Sequence, residues 1–327
     1  MTRAMDDSTI HPVSPRPTRG HRHRRGRALR QFGVPLLFLA PWLIGFCGLT
    51  VGPLVLTLYN SFTSYNLMTP QQWVGLANYQ TLLTNDPQFW QALGNTLYMV
   101  LFGVPLVISV SLGAALLLNR PLRGLGVYRA VLYLPVLVPP VASALLWLWV
   151  LNPAGGLLNS GLDALHIGGP GWFSSATWSK PGILLIEIWT SGNTIIIFLA
   201  GLRQVPRSLY EAAELDGAGG WPIFRHITLP QVTPVLFFNV LTTAIGMFGY
   251  FTQGFVISGG PAGATSLGAP EGSLLFYPLY LYQIAFGYLR MGYASALAWV
   301  LFLIVVVLSA VLFRTSRDWV YYEARTR

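Results

Sequence analysis

Glu211-Ala212-Ala213-Glu214-Leu215-Asp216-Gly217-Ala218, followed by Ile227-Thr228-Leu229-Pro230, is a short polar stretch between two long apolar ones. Three carboxylates in six residues do not belong inside a bilayer, where each ionised group is costly. The stretch is therefore read as a segment at a membrane face, open for docking. Pro206 ends the preceding helix, and Ser208 with Glu211 three residues on has the spacing of a capping box. Gly217 is placed to close the helix in a left-handed cap, and Pro222 to open another. Leu209, Ala212, Ala213 and Asp216 then share one face, and the two alanines let another backbone come close. The plainer alternative is an ordinary amphipathic connector.

On either side the chain is apolar. Hydrophobic residues make up 53% and charged residues 9%, far from the roughly half apolar, quarter charged balance of soluble domains. The length would allow two soluble domains, but the apolar residues fall in runs of the roughly 20 residues that cross a bilayer. Six runs are read, near 32–58, 92–118, 128–152, 182–202, 231–257 and 292–314. Pro135, Pro139, Pro140, Pro230 and Pro234 fall in or beside the third and fifth, where neighbouring groups in a membrane helix re-satisfy the backbone. The first run is too long for a cleaved signal sequence and has no small-x-small site after a short apolar core.

Charge sets the orientation. With a cytoplasmic amino terminus, all of the 20 basic residues except Lys180 and Arg290 fall on the inner side. Arg120, Arg123 and Arg129 then lie in one inner loop, and Arg203, Arg207 and Arg225 flank Glu211, as the positive-inside rule requires. The net charge of +9 reports topology and contact with anionic lipid, not nucleic acid. The organisation expected is a disordered basic cytoplasmic tail (1–30), a six-helix membrane domain (31–316) with an inner loop at 206–226, and a cytoplasmic C-terminal tail (317–327).

Several chemistries are excluded. Cys47 is the single cysteine, so no disulfide or thiolate metal cluster forms within the chain. The histidines have no zinc spacing and none lies within a span. No glycine-rich Walker loop is present, so ATP-driven work needs a separate subunit.

The Glu211–Ala218 stretch resembles the "EAA" loop of ABC importer permeases. Similarity to the carbohydrate-type permeases of that family runs from about residue 34 to 323. It is carried by Trp73-Val74-Gly75-Leu76, Asn78-Tyr79, Phe89-Trp90, Asn95-Thr96-Leu97, Leu134-Pro135, Asn152-Pro153, Gly156-Leu157-Leu158-Asn159 and Trp172-Phe173. Ala200-Gly201-Leu202, Gly259-Gly260-Pro261 with Ala264-Thr265, Ala285-Phe286, Gly292-Tyr293-Ala294-Ser295-Ala296 and Trp319-Val320-Tyr321-Tyr322 complete the set. The chain is most similar to the maltose- and glycerol-phosphate-type first permeases. The resemblance implies an all-α, six-helix fold of the type I importer permeases, in a bacterial cytoplasmic membrane with both termini inside. It also implies a second homologous permease, two ATPase subunits that bind ATP and magnesium, and an extracytoplasmic binding protein that delivers the sugar. No cofactor is implied in this chain itself. Glu211, Ala212, Ala213, Asp216 and Gly217 would form the coupling helix, which in that family sits in a cleft of the ATPase.

Glu187 departs from the family pattern, in which an amide or small residue often precedes the pair corresponding to Ile188-Trp189. With Thr190, Ser191 and Thr194 it falls at one helical face, where a carboxylate can accept two sugar hydroxyls or pair with a cationic sugar. The alternative is a structural carboxyl bonded to a neighbouring helix. A second stripe, Asn239, Thr242, Gly246, Gly249 and Gln253, leaves room for a sugar ring or packs against the partner permease. Trp147, Trp149 and Trp189 are candidates for stacking on sugars or for an interfacial belt. An importer of another solute, a secondary transporter with Glu187 as proton relay and an intramembrane enzyme are the competing functions. The Glu211 loop argues against the second, and the absence of any histidine in a span against the third.

Overall fold

The computed structural model describes residues 37–121, 123–259 and 267–321. The basic tail, the Gly260, Pro261, Ala264 and Thr265 part of one motif, Tyr322 and the terminal Arg325 and Arg327 lie outside the described residues. The chain divides into two units, Met1–Leu56 and Thr57–Arg327. In the first, residues 37–56 are helical throughout and none is buried. Leu37, Phe38, Ile44 and Leu49 are all exposed, an apolar surface expected of a segment that crosses a membrane.

In chain order the helices are α1 (Leu37–Ser61), α2 (Ala77–Thr84), α3 (Pro87–Leu118), α4 (Leu125–Leu137), α5 (Pro140–Val150) and α6 (Leu157–Ala164). Then come α7 (Ala176–Trp189), α8 (Gly192–Leu202), α9 (Arg207–Leu215), α10 (Gly220–Ile257), α11 (Tyr277–Tyr282) and α12 (Met291–Trp319). Helices α1, α3, α10 and α12 are each long and apolar enough to cross a membrane. The other two apolar runs are not single helices: α4 and α5 meet at 104° and α7 and α8 at 48°. Counting each bent pair as one span gives the six expected.

Local chemistry makes both breaks. Pro139 and Pro140 push the backbone before them out of the helical region, and Val138 and Pro139 have ψ of 124° and 142°. At the second break Thr190 Oγ1 donates to the Ile186 carbonyl (2.9 Å) and Ser191 Oγ to that of Ile188 (2.7 Å). These side chains offer the last carbonyls of α7 an alternative to the next helical turn. Gly192 then starts α8 hard against α4, where a Cβ would lie 2.3 Å from the Leu132 carbonyl oxygen.

The larger unit has two apolar cores. One, from Met99, Ile183, Phe198, Val232, Met247 and Phe276, is buried among α3, α7, α8 and α10. The other joins α2, the start of α3, α11 and α12 through Leu82, Phe89, Tyr277, Tyr280, Tyr293 and Leu297. Asp86 ties the second together. Its Oδ1 accepts the Phe89 amide (3.0 Å), capping α3, and its Oδ2 accepts the hydroxyls of Tyr280 and Tyr293. Burial first, and the Asp86 carboxylate second, hold the Tyr280 phenol far above its ordinary pKa, so it remains a donor.

The Gly292–Ala296 run is explained by a close approach. A Cβ at Gly292 would lie 2.1 Å from the Thr63 carbonyl oxygen, and the Gly292 amide donates to Tyr65 O (2.8 Å). Gly292→Ala is therefore expected to destabilise the protein by about 1–3 kcal/mol through forced backbone movement. Thermal unfolding of the detergent-purified protein checks this, and an unchanged Tm would contradict the packing described.

Candidate functional site

Three interruptions in the spans meet at one place. Pro135, Val136, Val138 and Pro140 at the α4–α5 break and Thr190 and Ser191 at the α7–α8 break line a single cavity of ≈ 450 Å³. Gly249, Tyr250 and Phe251, where the helical winding of α10 lapses, line it too. Its size lies within the roughly 300–1,000 Å³ of ligand sites. Non-helical backbone at membrane depth is tolerated where it lines such a cavity.

Polar side chains from three helices face this space. Glu187 lines it and is partly exposed. Thr190, Ser191 and Thr194 line it beside Glu187, although they belong to two helices and not to the one continuous face read from the sequence. From the second stripe Gly246, Gly249 and Gln253 take part, whereas Asn239 and Thr242 do not. Asn239 is buried with its amide nitrogen unpaired, and Thr242 is exposed, its hydroxyl bonded to the Phe238 carbonyl (2.9 Å). Thr243 and Tyr250 join Gly246, Gly249 and Gln253 in the lining.

Four hydroxyl-bearing lining residues, Ser143, Thr243, Tyr250 and Thr252, escaped the sequence reading. Ser143 Oγ is buried and makes no hydrogen bond to the protein, and the Tyr250 hydroxyl is buried with Glu187 as its neighbour. A buried hydroxyl left unpaired costs about 1–3 kcal/mol, so Ser143 Oγ is a group that a polar ligand would satisfy. Tyr250 lies beside Glu187, near enough for its hydroxyl and the carboxylate to interact directly. The tryptophans are arranged otherwise. Trp147 and Trp189 pack edge to face at 5.9 Å and Trp149 is 66% exposed, and none of the three lines the cavity.

The polar segment forms α9, with none of its residues buried. The capping box expected from Ser208 does not form: Pro206 is the N-cap, and no side chain bonds the first amides. The other end closes as expected. Gly217 has φ +77°. Its amide donates to the Glu214 carbonyl (3.0 Å) and that of Ala218 to Ala213 (2.9 Å), a complete Schellman motif. Pro222 falls in the first turn of α10.

Helix α9 has two faces. Arg207, Tyr210, Glu211 and Glu214 border a ≈ 710 Å³ space shared with Asn119 and Arg120 at the end of α3. Leu209, Ala212, Ala213 and Asp216 lie on the opposite face, so Glu211 is separated from the other residues assigned to coupling. Leu215 at the end of α9 and Trp221 at the start of α10 are 89% and 68% exposed.

Broken spans around a polar cavity, with an unburied helix between two spans, define a polytopic membrane transport component. Residues 106–318 match the family described as binding-protein-dependent transport system inner membrane component, and the chain belongs to that family. It is 38% identical to the probable ABC transporter permease protein YesP of Bacillus subtilis (strain 168), over 92% of this chain and 96% of that one. It is 34% identical to the sulfoquinovosyl glycerol transport system permease protein SmoG of Agrobacterium fabrum, covering 87% and 90% of the two chains. The fold is that of a chain in the crystal structure of a bacterial alginate ABC transporter with its alginate pentasaccharide-bound periplasmic protein, with a TM-score of 0.74 at 22% identity. That match covers 90% of this chain and 97% of the other. The chain is thus a multi-pass membrane component of an ABC system served by a binding protein, and not an enzyme.

Proposed function

We propose that this chain is one of two permease subunits of an ATP-driven sugar importer, and that the Glu187 cavity is part of the sugar path. The observation that carries the reading is the convergence of three helix interruptions on one cavity lined by a partly exposed carboxylate and several hydroxyls. Relatives named for sulfoquinovosyl glycerol, lactose and arabinooligosaccharides support a sugar as cargo. The chain would sit in a bacterial cytoplasmic membrane with both termini inside, which puts α9 where an ATPase can reach it.

In the mechanism proposed, two ATPase subunits hold ATP and magnesium, and their closure pushes on α9. The face with Ala212, Ala213 and Asp216 docks, while Gly217 fixes the exit of the helix and Glu211 lies against the body of the permease. Tyr210, whose hydroxyl is 3.2 Å from Thr228 Oγ1, ties that push to α10, which runs on to the cavity. ATP and the loaded binding protein then favour the outward-open state over the inward one. Thr190, Ser191, Thr194, Gly246, Gly249 and Gln253 would surround the sugar.

The docking face can be tested alone. Ala213→Arg puts a bulky cation where backbones must come close, so the ATPase is expected not to copurify while the chain still inserts. Undiminished copurification would contradict the assignment of that face.

A further inference from the structure

We propose that the Glu187 cavity selects by charge, admitting uncharged or amino-bearing sugars and refusing acidic ones. The inference rests on the reading of the cavity as a sugar path and adds the class of sugar. Among the described residues that line the cavity, Glu187 is the one carboxylate, and no lysine, arginine or histidine joins it.

None of the basic groups on the lining helices is itself in the lining. Lys180, seven residues before Glu187 on α7, donates from Nζ to Asn95 Oδ1 (3.0 Å) and the Ser273 carbonyl (3.4 Å), and lies 5.5 Å from the Tyr98 ring centroid. On α4, Arg129, whose Nε and Nη2 are buried and make no hydrogen bond to the protein, precedes the first lining residue, Pro135, by six positions, about 9 Å of helix, and is not in the lining. Helix α8 has no basic residue. Arg225 and His226 lie in the opening turns of α10, some 18 positions before Thr243, or about 27 Å of helix.

The remaining polar groups are neutral. Ser143, Thr194, Thr243 and Tyr250 offer hydroxyls, and Gln253 an amide. A sugar brings donors and acceptors in equal measure. Its acceptors can meet these hydroxyls, and two neighbouring sugar hydroxyls can donate to the two oxygens of Glu187. An ammonium substituent gains charge attraction as well. A uronate or sulfonate brings a second anion beside Glu187 in a space of low dielectric, with no cation in the lining to offset it.

The test uses the complete complex of both permeases and the ATPase, held with ATP and vanadate so that the binding protein's own preferences do not enter. Equilibrium binding is measured for three radiolabelled probes of one size: cellobiose, the β-1,4-linked glucosamine dimer and digalacturonate. Wild type is expected to bind digalacturonate at least about tenfold more weakly than the other two. Glu187→Gln should bring the three within about threefold of one another, and Glu187→Lys should reverse the order for the charged pair. Copurification of the subunits checks assembly; if the lysine variant does not assemble, the isosteric glutamine variant decides. Digalacturonate binding as tight as cellobiose in wild type, or an unchanged gap in Glu187→Gln, would overturn charge selection while leaving the sugar path intact. Failure of all three probes to bind would overturn the sugar path, and charge selection with it.

Discussion

Gly217→Val in the assembled transporter is expected to cut sugar-stimulated ATP hydrolysis by about tenfold, with the chain still inserted and its subunits still associated. A β-branched residue at φ +77° costs on the order of 1–2 kcal/mol. That cost falls on a helix of nine residues with nothing buried, too short to hold its shape without its ends. No atom lies within 4 Å of a Cβ built at Gly217, so the effect is one of backbone conformation and not of crowding. Asparagine, which tolerates the left-handed region, should lie between glycine and valine. ATPase assays on the three complexes check the order, and wild-type stimulation in the valine variant would refute the role assigned to the cap.

Replacing Glu187 has the second large effect. Glu187→Gln keeps the shape and part of the hydrogen bonding, whereas Glu187→Leu leaves any sugar hydroxyl that enters unpaired, at about 1–3 kcal/mol for each lost bond. Uptake of a neutral sugar should fall modestly in the first and by about tenfold or more in the second, with basal ATPase activity unchanged. Uptake and complex yield are measured together. Normal uptake in the leucine variant shows that the carboxylate does not line the path, and failure to assemble shows that it is a packing residue.

What the sequence made legible follows from how strongly physics limits each feature. The six apolar runs could be read because a bilayer fixes the length and polarity of whatever crosses it. The cap at Gly217 could be read because few residues other than glycine accept that conformation cheaply. The breaks were harder. Pro139-Pro140 signalled a disturbance, but not a turn of 104°, which depends on how α5 packs. The break at Thr190-Ser191 had no glycine or proline before it; it comes from two hydroxyls turning back on their own helix.

The cavity itself was legible in part. Glu187, Thr190, Ser191 and Thr194 were found because a carboxylate in an apolar run is conspicuous. On α10, Gly246, Gly249 and Gln253 were found, but choosing polar residues also led to Asn239 and Thr242, while the lining takes in Thr243 and Tyr250. Polarity could not fix which side of that helix faces the cavity, because Asn239 is itself buried elsewhere in the bundle. Tyr250 and Ser143 carried no signal, since neither residue type is unusual in an apolar run. Their importance lies in where their hydroxyls sit in the cavity wall, which only the three-dimensional arrangement reveals.

The most direct measurement of the central claim is sugar uptake into proteoliposomes, with each component present or withheld. This chain, the second permease, the ATPase and the binding protein together, with ATP on the side of α9, are predicted to accumulate the sugar. Withholding any one of them, or supplying ATP on the other side only, should abolish uptake. Accumulation by this chain in a proton gradient without the ATPase would contradict the account and make it a self-contained transporter.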